Sequence, residues 1–211
     1  MLLEKIKIIL ILFFVSNFHF HAQEVNSFQL PYAEGMKIDL NLEECFKVKI
    51  TSTKDVNYIE VKTKSEGVYA NQMRLNYEQH EKQLRLFTTF PELLSSGFDK
   101  LSSHKVLVFE VEIKVPENTN TYLASNIGFV EVSGSFDSFI ADLKYGDIDL
   151  VPFYGNAKIS TYRGHINMKT QDAKVEATSR KGLVEIETFN YPKSIIQLQS
   201  VEGNIKVVSF N

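Results

Sequence analysis

Polar residues recur at a fixed spacing in the second half of the chain, and they are the first candidates for chemistry. Glu131 and Asp149 occupy equivalent positions in successive copies of a repeated phrase, and the same phase continues through Asn167, Glu185 and Lys206. If these residues stack on neighbouring strands about 4.8 Å apart, Glu131 and Asp149 are adjacent. Two adjacent carboxylates either attract a cation or lower stability. Because Asn167 interrupts the row, a solvated surface column is the simpler interpretation.

The remaining chemistry-bearing residues form no recognisable catalytic pattern. His80, His104 and His165 are far apart, and none has a partner at metal-ligand spacing. The sequence contains no nucleophile elbow, phosphate-binding loop, zinc-protease helix or dinucleotide fingerprint. Cys45 is the single cysteine, which excludes an intrachain disulfide, and we expect it to be buried in a strand. The sequence therefore assigns no catalytic residue, metal ligand or cofactor-binding residue, and no cofactor is expected.

Two further rows of side chains share this phase. One precedes a set of regularly placed glycines by six positions, and we expect Lys158 and Glu176 to pair weakly within it: Tyr122, Ile140, Lys158, Glu176, Gln197. The other combines bases and tyrosines in a ridge that suits acidic glycans: Lys144, Tyr145, Tyr162, Arg163, Arg180, Lys181. Solvated surface is the simpler interpretation of both rows.

The repeated glycine supplies the framework for these rows. Gly128, Gly146, Gly164 and Gly182 recur at one constant interval, and Gly203 follows after a slightly longer one. Apolar residues lie at odd positions before each glycine and at even positions after it, so the chain must bend there, and glycine tolerates a bend. A fixed period with alternating phrases is typical of a β-solenoid. The sequence predicts an all-β protein with a parallel β-solenoid of about five 18-residue rungs over residues 121–211.

Residues 23–120 lack this period but read as alternating strands. We expect them to form an antiparallel β-sheet that caps the solenoid, because an uncovered strand edge promotes aggregation. The one interruption is a loop over residues 91–104.

The first 22 residues are typical of a secretory signal peptide. Lys5 and Lys7 precede an apolar run over residues 8–15, and a cleavage site follows between Ala22 and Gln23. The run is too short to span a bilayer. We therefore expect export to the periplasm, the outer surface or the medium. The formal charge of −3 gives no basic footprint for nucleic acid.

One stretch resembles a known family. An alternating strand over residues 110–116 ends in Val-Pro, a polar link follows over residues 117–120, and then the Gly-x-[Ile/Val]-x-apolar phrases begin. This order resembles the bacterial putative adhesin family over about residues 35–211. The resemblance implies an exported β-solenoid domain of largely unknown function, similar to the head domains of auto-transporter adhesins, with no catalytic residues to carry over. The chain departs from the pattern in an insertion over residues 73–104 and in three extra residues before Gly203.

Three functions remain open from the sequence. The first is an exported, non-enzymatic, adhesin-like protein that binds a glycan or a surface protein at the cell envelope. The alternatives are a polysaccharide-acting β-helix enzyme that uses Glu131 and Asp149, and an envelope signalling component that acts through a partner protein.

Overall fold

The computed structural model describes residues 24–54, 56–67, 73–89 and 107–210. The predicted signal peptide, its cleavage site at Ala22 and Gln23, and the predicted loop over residues 91–104 lie outside these ranges.

The described residues fold into strands alone, which confirms the all-β class. No helix among them is long and apolar enough to cross a membrane. The fifteen strands are β1 Glu24–Pro31, β2 Lys37–Asn41, β3 Lys47–Thr53, β4 Tyr58–Gly67, β5 Arg74–His80, β6 Gln83–Thr89, β7 Leu107–Pro116, β8 Thr119–Ser125, β9 Phe129–Tyr145, β10 Ile148–Arg163, β11 Ile166–Thr170, β12 Ala173–Ser179, β13 Val184–Ile186, β14 Ser194–Glu202 and β15 Ile205–Ser209.

The strands belong to one mixed sheet that follows two pairing paths. The first face has the order β1-β4-β7-β3-β9-β10-β11-β15-β13. The second face has the order β5-β6-β2-β8-β9-β10-β14-β12. The long strands β9 and β10 belong to both, since their first halves pair on the first face and their second halves on the second.

Parallel pairing between residues one repeat apart builds the centre of the fold. On the first face Val130 pairs with Ile148, and Ile148 pairs with Ile166. On the second face Phe139 pairs with Ala157. These side chains are buried in one apolar cluster, and each fully buried aliphatic chain contributes roughly 1.5–3 kcal/mol. The apolar alternation seen in the sequence therefore marks the inward side of both faces.

The C-terminal strands do not stack in chain order. We use the term layer for a second-face strand together with the first-face strand that follows it across a glycine corner. The layer of β14 and β15, around Gly203, lies between the layer around Gly164 and the layer of β12 and β13, around Gly182. The chain therefore skips one level after β11, forms the outermost layer, and returns to fill the gap. The three extra residues before Gly203 fall in the connection over residues 187–193, which makes this return.

The N-terminal strands continue the two faces. Antiparallel pairing is limited to β1 with β4, β4 with β7, and β5 with β6 among the described strands. The expectation of an antiparallel sheet is therefore wrong for β2, β3 and β8, which pair parallel to their neighbours. The reason is that β2 and β3 already form a layer around Cys45, which runs in the same direction as the layer around Gly128. Strands β3 and β8 cover the edge of β9, as the cap was expected to do.

Candidate functional site

The predicted acidic column lies on the outward side of the first face, in a different order. Strand pairing places its members in the sequence Glu131, Asp149, Asn167, Lys206 and Glu185. The prediction that Glu185 lies beside Asn167 is wrong, because β15 is inserted between β11 and β13. Glu131 and Asp149 are neighbours, as the spacing predicted.

Each carboxylate of the neighbouring pair has its own partner. Lys47 Nζ lies 2.8 Å from Glu131 Oε1, and Asn167 Nδ2 donates a hydrogen bond to Asp149 Oδ1 at 2.8 Å. Within the described ranges no group of three or more histidine, cysteine, aspartate or glutamate side chains is arranged to hold a metal ion. Lys47 therefore compensates the charge of Glu131, and the neutral Asn167 amide hydrogen-bonds Asp149. Sequence reasoning missed Lys47 because it lies outside the glycine repeat.

The row on the second face is also reordered by the inserted layer. Gln197 pairs with Lys158 on one side and with Glu176 on the other, so the predicted Lys158–Glu176 pair is wrong. Glu176 instead lies 3.0 Å from Lys174 on its own strand, and the hydrogen bond from that ammonium lowers the pKa of Glu176. At the other end of the row, the Tyr122 hydroxyl donates to a carboxylate oxygen of Asp142 at 3.1 Å.

The predicted corner glycines form one continuous stack. A Cβ atom added to any of the five would lie 1.8 to 2.0 Å from the backbone carbonyl oxygen of the preceding corner residue. No side chain fits at that distance, so the corner demands glycine because successive layers approach so closely. The stack runs in the order Cys45, Gly128, Gly146, Gly164, Gly203, Gly182.

Side chains that follow these glycines accept hydrogen bonds from the next layer. Asp147 Oδ1 accepts from the backbone N–H of His165 at 2.7 Å. His165 Nδ1 accepts from the backbone N–H of Asn204 at 3.0 Å, and Asn204 Oδ1 accepts from that of Leu183 at 3.0 Å. This ladder gives His165 a structural role in the corner, with Nδ1 as the hydrogen-bond acceptor.

The other titratable candidates from the sequence are His80, His104 and Cys45. His80 lies at the exposed end of β5, and His104 lies outside the described residues. Cys45 is buried as expected, but it lies at the corner between β2 and β3 and not in a strand. Burial raises the pKa of its thiol. A buried thiol that resists ionisation behaves as a small apolar side chain.

Residues that precede the corner glycines form an aromatic and basic cluster. The rings of Tyr145 and Tyr162 meet edge to face with their centroids 6.1 Å apart, and the Arg163 guanidinium lies 5.8 Å from the Tyr145 centroid. Arg163 Nε donates to Glu202 Oε2 at 2.8 Å, and Lys181 Nζ donates to the other oxygen of the same carboxylate. We call these five residues the aromatic–basic cluster.

Glu202 holds the two cations of the cluster in place. Hydrogen bonds from Lys181 and then Arg163 lower the pKa of Glu202, and the carboxylate in turn raises the pKa of both bases. The side chains of Arg163 and Lys181 remain 62% and 60% exposed. One carboxylate therefore orients two cations that stay accessible from solvent.

A shallow groove of about 510 Å³ runs along the glycine stack beside this cluster. We call it the corner groove. Its floor is backbone, because the corner residues lack side chains, and its walls carry the residues on either side: Ile127, Tyr145 and Arg163 against Phe129, Asp147 and His165. An open groove with aromatic rings, a cation and hydrogen-bonding groups suits an extended ligand. The two carboxylates of the lining already have partners, since Asp147 accepts from the His165 N–H and Glu202 accepts from Arg163 and Lys181.

The predicted basic ridge is largely assembled in three dimensions. Tyr145, Tyr162, Arg163 and Lys181 meet in the cluster, and Lys144 Nζ lies 5.7 Å from the Tyr145 centroid. Sequence reasoning missed the carboxylate that joins them. The sequence does indicate this carboxylate. Glu202 directly precedes Gly203, just as Tyr145, Arg163 and Lys181 directly precede their glycines.

Comparisons with known proteins support the fold. No family model matches the chain, and none of the curated proteins does. A solved structure described as a putative cell adhesion protein from Clostridium sporogenes matches with a TM-score of 0.69 at 18% identity, over 90% of this chain and 100% of that chain. A putative adhesin from Bacteroides fragilis matches with a TM-score of 0.39 at 11% identity, over 88% and 97%. A putative lipid binding protein from Parabacteroides distasonis matches with a TM-score of 0.31 at 10% identity, over 88% and 96%. The chain shares its fold with the Clostridium protein, and this confirms, as a likeness of fold, its resemblance to the putative adhesin family.

Proposed function

We propose that this chain is an exported, non-enzymatic, adhesin-like protein of the cell envelope that binds an acidic glycan along the corner groove. The observation that carries the proposal is the aromatic–basic cluster, in which Glu202 holds Arg163 and Lys181 beside two exposed tyrosine rings.

The scaffold in this proposal is a β-solenoid. Its support is the parallel pairing of β9, β10 and β11 between residues one repeat apart, together with the stacked glycine corners. Stacked layers place equivalent side chains about 4.8 Å apart along a straight line. A polymer with a short repeat can then make one contact at each level, so weak individual contacts add along the groove.

The cluster favours a polymer that carries carboxylates. Tyrosine rings offer flat apolar area with little loss of side-chain entropy, and their hydroxyl groups can hydrogen-bond at the water-exposed edge. An arginine that is already oriented by Glu202 loses less freedom when it binds a carboxylate bidentately. Uronic acids combine a ring face with a carboxylate, and therefore match both parts of the cluster.

The partners of Glu131 and Asp149 count against the enzymatic alternative. Glycoside hydrolysis needs two carboxyl groups that flank one bond, with one of them held protonated. In this chain Lys47 pairs with Glu131 and Asn167 donates to Asp149, so both carboxylates already have a partner. The signalling alternative has no specific contact among the described residues in its favour.

Binding to immobilised polysaccharides tests the proposal. We expect the purified protein to bind polygalacturonate or hyaluronan and not neutral dextran. Arg163→Ala and Tyr145→Ala should each weaken binding about tenfold, as expected for central aromatic and arginine contacts. Lys158→Ala is the matched control, since it removes an exposed cation from the second face and should leave binding unchanged. Absence of binding to every glycan would contradict the function, and equal binding by Arg163→Ala would contradict the site.

Export is tested separately. Expression of the full sequence, followed by N-terminal sequencing of the accumulated protein, should give a mature chain that begins at Gln23. Retention of Met1 in a cytoplasmic fraction would contradict export.

A further inference from the structure

The outermost layer at the C-terminal side of the fold ends in open strand edges. Strand β12 pairs with β14 alone, and β13 pairs with β15 alone, among the residues that the structure describes. The other side of each strand therefore presents backbone N–H and C=O groups. An edge of this kind is a template for pairing with another strand.

Side chains on the inward side of this layer are incompletely covered. Val184 and Ile186 are each 40% exposed, whereas Ile205 and Val207, their partners in the next layer, are each 1% exposed. On the second face, Val175 is only half-buried. These residues have the apolar character of core positions, so one further layer would bury them as the others are buried. Burial of that apolar area favours association.

We propose that a second copy of this chain supplies the missing layer, with β12 pairing antiparallel to β12 of the copy around a two-fold axis at Val175. In this register the outward Lys174 of one protomer faces Glu176 of its partner, and the reverse pair forms on the other side of the axis. The inward Val175 faces its own equivalent, and Ala173 faces Ala177, which extends the apolar core across the junction.

The charges on β12 favour this register over the adjacent registers. A shift of the axis by one residue to Glu176 would place two glutamates directly opposite each other, and like charges in that position are destabilising. A shift to Ala177 would bring Lys174 opposite Arg180. The axis at Val175 forms two opposite-charge pairs and no like-charge pair. A two-fold contact is also closed after two copies, so it covers the edge without starting a fibre.

A charge swap tests the proposal in solution. The chain is expressed from its full sequence and purified in the form that the cell accumulates, and its mass is measured by light scattering and sedimentation. We expect the wild type to be a dimer that dissociates on dilution. Lys174→Glu should raise the dissociation constant at least about tenfold, because both cross-strand pairs become repulsive. The double variant K174E/E176K restores both pairs and should dimerise within about threefold of the wild type.

Two controls separate dimerisation from folding and from glycan binding. Lys158→Glu makes the same charge change on an interior strand of the same face and should dimerise normally. Circular dichroism should show that Lys174→Glu stays folded. Glycan binding by this monomer should persist, since no residue that lines the corner groove belongs to β12. A wild type that remains monomeric at its highest soluble concentration would overturn the proposal, as would a dimer that Lys174→Glu leaves intact or that the double swap fails to restore.

Discussion

The Nδ1 atom of His165 accepts a hydrogen bond from the backbone N–H of Asn204 at 3.0 Å, although the two residues are 39 positions apart. If the layers followed chain order, the partner of His165 would be Leu183, one repeat later. Leu183 instead donates its backbone N–H to Asn204. This pair of bonds places the Gly203 layer between the Gly164 and Gly182 layers. It also gives a structural role in the corner to a histidine that would otherwise be a catalytic candidate.

Removal of the His165 acceptor should lower stability. His165→Ala leaves the Asn204 N–H without its side-chain partner, and we expect the free energy of unfolding to fall by about 1 kcal/mol. His165→Asn should cost less, since Asn204 performs the same role with an amide oxygen one layer further out. Urea denaturation measures both effects. Hydrogen exchange at the Asn204 amide should accelerate in His165→Ala alone, and equal exchange in both variants would contradict this role.

The alternation around each glycine was enough to predict the strands of residues 121–211 and their inward side chains. It also predicted that Glu131 and Asp149 are adjacent. The side of the strand on which a residue lies, and the length of the repeat, depend on local backbone geometry, which each repeat encodes by itself. The order of layers depends on which strand fills a gap in space. Gly182 and Gly203 open equivalent phrases, so their exchange leaves the periodic pattern unchanged.

The interaction partners of the site residues could not be predicted from the sequence, for a related reason. Lys47 meets Glu131 because β3 lies beside β9, a contact between residues distant in the chain that no repeat encodes. The antiparallel expectation for the N-terminal half was wrong for β2, β3 and β8 for the same reason. Alternation identifies a strand there but does not give the direction of its neighbour.

Alanine at a corner glycine should be severely destabilising. A Cβ on Gly164 would lie 1.9 Å from the carbonyl oxygen of Gly146, between layers that cannot separate without loss of backbone hydrogen bonds. We expect Gly164→Ala to cost about 3 kcal/mol or more in urea denaturation. Gly182→Ala should cost less. Its Cβ would approach the Gly203 oxygen at 2.0 Å, but the outermost layer can shift outward.

Gly35 provides the control for conformational strain. Its φ is +77°, and a Cβ there would have no neighbour within 4 Å. Gly35→Ala should therefore show only the cost of a left-handed alanine, about 1–2 kcal/mol. If Gly164→Ala proved no more destabilising than Gly35→Ala, the close approach of the layers would be refuted.

Acid should weaken the aromatic–basic cluster through Glu202. Hydrogen bonds from Lys181 and Arg163 hold the pKa of Glu202 below its ordinary value, about 4.3 in an unfolded chain. A carboxylate with a lowered folded-state pKa contributes stability above the unfolded pKa, and that contribution is lost as pH falls through the folded pKa. The stability difference between wild type and Glu202→Gln should therefore be constant near neutral pH and shrink below about pH 4.3.

Thermal melts of both proteins from neutral to strongly acidic pH measure this difference. The contributions of the other acidic groups to stability cancel, because both proteins carry them. The remaining contribution should also decrease with added salt, since the cluster is exposed. A difference that stays constant down to the most acidic pH would show that Glu202 is not held by the two bases.

The insertion of the last layer can be tested directly with paired cysteines. Lys158 and Gln197 pair on adjacent parallel strands, whereas Glu176 lies one strand further out. Adjacent strands are about 4.8 Å apart, within the Cα separation of a disulfide, and strands two apart exceed its limit of about 7 Å. Oxidation of the folded K158C/Q197C variant should therefore form the cross-link, and K158C/E176C should remain reduced. Mass spectrometry of unreduced peptides reads out both results, and the buried Cys45 is common to both variants. Stacking in chain order predicts the opposite outcome for each pair, because β12 would then lie beside β10 and β14 beyond it.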